Sequence, residues 1–209
     1  EEQGYATIHY GGAALLDRQN IGCQSFSLRK GKESENKRKI ARKAASFIKE
    51  GDVLFMDTST TVLEILTYMP AFRVKIITNS VPVMEAVYRD ENIDLYMAPG
   101  LYRSAGGPFD YATAEYLSRF HYNKAFFGST SYDPVFGTSA AEENEAAVKK
   151  CVLGNSDENY LLIDHSKMGK RSFVKYADTV DYTGILSDEE LDIDWRTKIT
   201  QNGGKLILC

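Results

Sequence analysis

The stretch that most constrains the fold is Val53-Leu54-Phe55-Met56, an apolar run that ends abruptly in Asp57-Thr58-Ser59-Thr60-Thr61 and passes at once into a helical pattern over residues 62–69. A strand, a hydroxyl-rich turn and a helix in that order open a strand–helix–strand unit, and such units build mostly parallel sheets with helices on both faces. The alternation recurs along the chain. Strand 53–57 leads to a helix over 60–69 that Pro70 ends. Val74–Thr78 is β-rich, and Ser80 caps a helix with Pro82 in its first turn, running to Arg89. Strand 94–98 stops at Pro99-Gly100, and Asp110 opens a helix through Phe120. Strand 124–127 is followed by an amphipathic helix over 142–153 with Ala146, Ala147, Val148 and Cys151 turned inward. Strands at 160–164, Gly184–Ser187 and 205–208 complete an α/β fold.

At 209 residues one large domain is expected, with at most a small appendage, and a chain of this length buries a substantial core without disulfides. Cys23, Cys151 and Cys209 are isolated and odd in number, which fits a reducing cytoplasm. They lack metal-ligand spacing, and the three histidines form no site by sequence, so neither a metal nor a cofactor is expected. The apolar runs are too short to span a bilayer. The net charge of −4 makes the chain as a whole a poor polyanion binder. Residues 1–20, with Gly11-Gly12-Ala13, read as the remnant of a linker running into a folded domain over 21–209.

One basic stretch stands out, from Arg29 and Lys30 through Lys32, Lys37, Arg38, Lys39, Arg42 and Lys43. Ile40, Ala44, Phe47 and Ile48 recur within it at helical spacing, which makes the charges the solvated face of an amphipathic helix. That helix starts near Ser34 and stops by Gly51.

Parallel α/β sheets bind ligands beyond the carboxyl ends of their strands. Those ends carry Asp57 to Thr61, then Thr78-Asn79-Ser80, Pro99-Gly100, Gly128-Ser129-Thr130 and Asp164-His165-Ser166-Lys167. Hydroxyls, an amide, carboxylates and a lysine on one rim suit a small polyhydroxylated anion. The unpaired N–H groups of the helix after the first strand favour a phosphate, with the hydroxyls of Thr58, Ser59, Thr60 and Thr61 adding donors. Each residue alone would also serve as a helix cap or turn.

In these landmarks the chain resembles the C-terminal effector domain of DeoR-family transcriptional regulators. Gly11-Gly12-Ala13, Lys39-Ile40-Ala41 with Ala44-Ala45, Gly51-Asp52, Asp57 to Thr61, Thr78-Asn79-Ser80, Ala125-Phe126-Phe127-Gly128, Gly137-Thr138, Glu145-Ala146 with Lys149-Lys150 and Asp164-His165-Ser166-Lys167 run in the family's order over nearly the whole chain. The resemblance implies the fold of ribose-5-phosphate isomerase, glucosamine-6-phosphate deaminase and coenzyme A transferases. It implies a phosphorylated-sugar sensor whose N-terminal winged helix-turn-helix, lying before Glu1, binds operator DNA. It further implies a homo-oligomer, dimer or tetramer, in which ligand shifts the population of subunit arrangements. Asp57 to Thr61 would form the phosphate loop, and Thr78, Asn79, Glu145, Lys149, Asp164 and Lys167 the rest of the pocket, with Ser80, Gly100 and Gly128 beside them. Two departures bear on this site. Pro99 stands where the family commonly has glycine, and Ser59, which tolerates positive φ poorly, also stands where many members have glycine. A sugar-phosphate isomerase of the same fold is the rival. Such enzymes keep acids after the strand ending in Phe126-Phe127-Gly128, where this chain has Phe127, Thr130 and Ser131, so a general base is missing and binding without turnover is expected.

Overall fold

The computed structural model describes residues 6–9, 12–15, 26, 29, 34–102 and 106–209. Within the expected linker, β1 (Ala6–His9) and β2 (Gly12–Leu15) pair antiparallel. The rest of residues 1–20, together with Cys23, Lys30 and Lys32, lies outside the described residues.

The remaining chain alternates as its pattern predicts. Helix α1 (Ser34–Ala45) precedes β3 (Val53–Met56), α2 (Thr60–Glu64), β4 (Val74–Thr78), α3 (Val81–Val87), β5 (Ile93–Met97), α4 (Tyr111–Leu117) and β6 (Tyr122–Gly128). A hairpin of β7 (Ser131–Asp133) and β8 (Gly137–Ala140) follows. Then come α5 (Glu143–Gly154), β9 (Ser156–Leu162), β10 (Val174–Ala177), β11 (Gly184–Ser187), α6 (Ile193–Gln201) and β12 (Leu206–Leu208). Seven strands form one sheet in the order β12-β11-β9-β6-β3-β4-β5, every neighbouring pair parallel.

Period-two alternation in the central strands feeds two separate cores. Leu54 and Met56 of β3, Phe126 of β6 and Leu162 of β9 face Ile40, Ala41 and Ala44 of α1, with Val62 and Ile65. Phe55, Ala125, Phe127 and Leu161 face the opposite side, where Val148 and Val152 of α5 and Leu117 of α4 cover them. Phe126 and Phe47 both stack on Tyr160, with ring centroids 5.6 Å and 4.9 Å away. A strand buried on both faces must be apolar at every position, which is why Val53-Leu54-Phe55-Met56 reads as a continuous run.

Three differences from the sequence expectation have physical causes. The helix expected over 60–69 is α-helical only over Thr60–Glu64 and tightens into a 3₁₀ turn at Ile65–Thr67. Strands β7, β8 and β10, absent from the sequence reading, form a second sheet in the order β10-β8-β7, antiparallel throughout. This sheet adds Tyr132, Ala140, Tyr176 and Ala177 to the core on the α5 side and is tied down by paired hydroxyls. Tyr132 Oη lies 3.1 Å from Thr179 Oγ1, and Tyr182 Oη 2.8 Å from Thr138 Oγ1. Helix α6, also unanticipated, is polar on most of its surface and buries Ile199.

Gly137 starts β8 with φ +96°, and a Cβ there would lie 2.0 Å from the Ala177 carbonyl oxygen. Gly137→Ala combines a disfavoured backbone with a backbone clash, and a loss of about 2–4 kcal/mol is expected. Urea denaturation checks this, and a midpoint equal to that of the wild-type chain would show that the small sheet adapts.

Candidate functional site

The strand order sets where a ligand can go. From β3 at the centre the chain builds β4 and β5 on one side. It then returns to lay β6 along the other flank of β3 and continues to β9, β11 and β12. The connections leaving the carboxyl ends of β3 and β6 therefore diverge, and a crevice opens between them. A cavity lies there, lined by Asp57 to Thr61 after β3, Gly128, Ser129 and Thr130 after β6, and Leu162, Ile163, Asp164 and Lys167 after β9. Glu145 and Lys149 of α5, Phe109, Arg29 and Lys37 complete it.

Asp57 forms the seam between the two diverging ends. It is 1% exposed. Its Oδ1 accepts from Ser59 N at 2.7 Å and its Oδ2 from Gly128 N at 2.8 Å. Gly128 is required at that seam, because a Cβ there would lie 2.2 Å from Ser59 Oγ and 2.3 Å from Ser59 Cβ. Ser59 itself sits at φ −74° and accepts from Thr61 N, capping α2. No positive φ is needed at that position, so serine in place of glycine puts no strain on the loop.

Behind Asp57 stands Lys149, 4% exposed. Its Nζ donates to the Gly128 carbonyl oxygen at 2.7 Å and lies 3.2 Å from Glu145 Oε1, 3.5 Å from Asp57 Oδ2 and 5.4 Å from the Tyr176 ring centre. Burial acts against the charge of Lys149. Tyr176, Glu145 and Asp57 outweigh it and hold the ammonium above the usual lysine range. Burial pushes the Asp57 carboxyl up, against the pull of Lys149 and of the Gly128 and Ser59 N–H groups. Asp164 accepts from Ser166 N at 3.1 Å and from the Ser166 hydroxyl, closing the 3₁₀ turn His165–Lys167 that presents Lys167.

Of the residues singled out by sequence, Asp57, Thr58, Ser59, Thr60, Thr61, Gly128, Glu145, Lys149, Asp164 and Lys167 meet at this one cavity. The lining does not include Thr78, Asn79, Ser80 or Gly100. Thr78 Oγ1 donates to the Met56 carbonyl oxygen at 2.5 Å and accepts from Ser80 N at 2.9 Å, locking β4 to β3. Ser80 Oγ caps α3 by accepting from Val83 N. Asn79 Nδ2 donates to the Pro108 carbonyl oxygen at 2.9 Å, which sets the turn that delivers Phe109 to the cavity. Gly100, with φ +146°, packs against Thr113 at the start of α4.

Sequence reasoning missed Arg29, Lys37 and Phe109. Lys37 was counted with the solvated charges, yet it is 4% exposed. The signal was present, since Lys37 stands three and four residues before Ile40 and Ala41, on the same helix face. Its Nζ donates to the Arg29 carbonyl oxygen at 2.5 Å. Next to it, Asn36 Nδ2 donates to Glu190 Oε1 at 3.2 Å. His165, outside the lining, donates its N–H to Asp188 Oδ2 at 2.8 Å, and its Nδ1 lies 2.9 Å from Asp188 Oδ1. The donor atoms of His165, Asp188 and Glu190 all lie within 4.8 Å of one another. Asp188 also accepts from Glu190 N, so this group forms a hydrogen-bonded tie between the rim and α1.

Asp57→Asn replaces one acceptor oxygen with a donor facing an N–H and leaves Lys149 under-compensated. A loss of about 3–5 kcal/mol is expected, as for other broken buried pairs. Chemical denaturation measures it, and a loss below about 1 kcal/mol would deny Asp57 its role as the seam.

Residues 32–189 match the family described as the DeoR C terminal sensor domain. The chain is 31% identical over 209 residues to the HTH-type transcriptional repressor GlcR of Bacillus subtilis (strain 168), covering 100% of this chain and 80% of that protein. It is 30% identical to a lactose phosphotransferase system repressor of Staphylococcus epidermidis, covering 95% of this chain and 80% of that one. Among solved structures, eIF2B delta from Chaetomium thermophilum superposes with a TM-score of 0.54 at 15% identity, over 76% of this chain and 57% of that one, a likeness of fold. Ribose 5-phosphate isomerase A from Methanocaldococcus jannaschii gives 0.48 at 19% identity, over 66% and 56%. The sequence relatives are regulators of transcription, and this chain is a regulator rather than an enzyme. It belongs to the DeoR family, whose C-terminal sensor domain it carries.

Proposed function

We propose that this chain senses a phosphorylated sugar and that the bound sugar changes the operator affinity of a helix-turn-helix module carried by the same protein. The observation behind this reading is the composition of the crevice at the topological switch. Four consecutive hydroxyl residues, Thr58 to Thr61, face Ser129 and Thr130 across it, with Lys167, Arg29 and Lys37 at its edges. Hydroxyls and N–H groups that converge with cations bind phosphate oxygens, and hydroxyls both accept from and donate to sugar hydroxyls. With α2 only five residues long, the hydroxyls and side-chain cations carry more of this recognition than a helix dipole.

The names of the relatives support a role in carbohydrate regulation, one of them being a lactose phosphotransferase system repressor. The cavity's carboxylates are committed to the protein. Asp57 accepts from two backbone N–H groups, Asp164 closes a turn and Glu145 pairs with Lys149. A general base for aldose–ketose isomerisation has to reach a substrate carbon-bound proton, and none of these is held for that task. Phe127, at a position where isomerases of this fold keep an acid, is fully buried in the core. Binding therefore acts as a signal. Ligand that prefers one arrangement of a homo-oligomer, dimer or tetramer, shifts the spacing of the DNA-reading modules, and a regulator of this kind works in the cytoplasm, on operator DNA.

A thermal-shift screen is expected to show a rise in Tm with one or a few phosphorylated sugars, a much smaller rise with the same sugars lacking phosphate, and no turnover of either. Turnover of a ligand that shifts Tm would overturn the sensor reading. Lys167 is half-buried on a surface turn. Lys167→Ala should leave stability within about 0.5 kcal/mol while weakening the effector about tenfold or more. Titration calorimetry checks this, and equal affinity would remove Lys167 from the site.

A further inference from the structure

One wall of the cavity differs in chemistry from the rest. Of its apolar lining residues, Leu162 and Ile163 are each 1% exposed, whereas Phe109 is only half-buried. The apolar surface left open to a ligand is therefore the Phe109 ring, set among the hydroxyls of Thr58 to Thr61 and Ser129. We infer that Phe109 is a specificity-determining residue of the site. Its ring packs against the C–H face of the effector's sugar and selects a closed-ring sugar phosphate over the open-chain polyol phosphate of the same length. This inference rests on the reading of the cavity as a phosphorylated-sugar site.

The backbone holds the ring from both sides. Before it, Gly106 and Gly107 lie closely on the ends of β3 and β4. Gly106 has φ +110°, and its carbonyl oxygen accepts from Val81 N at 2.9 Å. A Cβ at Gly107 would lie 1.8 Å from the Asn79 carbonyl oxygen and 3.0 Å from Thr58 Cγ2, so no side chain fits between this strap and the strand ends. The Pro108 carbonyl oxygen accepts from Asn79 Nδ2, and Pro108 forms an antiparallel bridge with Tyr102. After the ring, Asp110 caps α4 by accepting from Thr113 N at 2.9 Å and also accepts from Leu101 N at 2.7 Å. A phenyl ring anchored one residue away on each side presents a pre-organised face, which lowers the entropy lost on binding.

A sugar carries two kinds of surface. Its hydroxyls need donors and acceptors, which the strand ends supply. Its ring hydrogens form an apolar face, to which hydroxyls and cations offer nothing. An aromatic ring in contact with water gains when such a face covers it. A closed sugar ring brings that face ready formed. An open chain has to freeze several torsions to present the same surface, and the freezing costs affinity. A flat, fixed aromatic wall beside a polar crevice therefore separates two ligands that carry the same phosphate and nearly the same hydroxyls.

The test titrates the wild-type chain, Phe109→Ala, Phe109→Leu and Phe109→Tyr by calorimetry. The probes are glucose 6-phosphate with its open-chain counterpart glucitol 6-phosphate, ribose 5-phosphate with ribitol 5-phosphate, and inorganic phosphate. Melting temperatures without ligand check that each variant folds. The wild type is expected to bind at least one closed-ring probe about tenfold more tightly than its open-chain counterpart. Phe109→Ala is expected to lose about tenfold for that probe and much less for the counterpart and for inorganic phosphate. Phe109→Leu, which keeps packing bulk without the flat ring, loses part of the same preference, and Phe109→Tyr keeps it. A preference unchanged in the Ala and Leu variants, or a wild type that takes the open-chain probes as tightly, would overturn the inference and leave the sensor reading standing. An equal loss for inorganic phosphate would also overturn it, marking Phe109 as a general support of the cavity. A wild-type chain that binds none of the phosphorylated sugars at millimolar concentration would overturn both together.

Discussion

The site depends on one carboxylate. At the switch point two parallel strands are paired up to the bond from Asp57 N to the Phe126 carbonyl oxygen, and beyond it their connections depart in opposite directions, so something other than the ladder must tie the two loop starts together. Asp57 does so by accepting one N–H from its own loop and one from the end of β6, and Lys149 balances its charge from α5. That pair of bonds fixes the start of the hydroxyl-bearing loop against the end of β6. Removing water from a carboxylate is costly, and here fixed N–H dipoles and a buried ammonium offset part of that cost. That arrangement is rigid, which suits a site whose task is to recognise rather than to transform.

Much of the fold was legible because the parallel sheet is buried on both faces. Val53-Leu54-Phe55-Met56 and Ala125-Phe126-Phe127 have no freedom to be polar, and Asp57, Ser80 and Asp110 mark turns by chemistry that acts within a few residues. The small antiparallel sheet escaped because its strands are three or four residues long and the hydroxyl pairs that tie it down, Tyr132 with Thr179 and Tyr182 with Thr138, join residues distant in sequence. A local pattern carries no trace of a partner more than forty residues away.

The cavity was partly legible for a similar reason. Residue type announces a polar strand end, but not the direction of the side chain. Thr78 carries the same hydroxyl as Thr58 and Thr60, yet it donates to the Met56 carbonyl, and the Asn79 amide nitrogen donates to the Pro108 carbonyl. Lys37 erred the other way. A cation on a helix rich in cations reads as solvated, and only the packing of α1 on the sheet reveals that its apolar stripe carries a charge into the interior.

The fit between Gly128 and Ser59 also bears on how such a site can diverge. A Cβ at position 128 meets only the Oγ and Cβ of Ser59 at short range, and the next nearest atom, the Ser59 Cα, lies at 3.7 Å. The obstruction is one side chain, not the backbone. A lineage that carried glycine at 59 would be free to accept alanine at 128, and one that kept serine at 59 would not. The two positions would then drift as a pair, and each would record the history of the other.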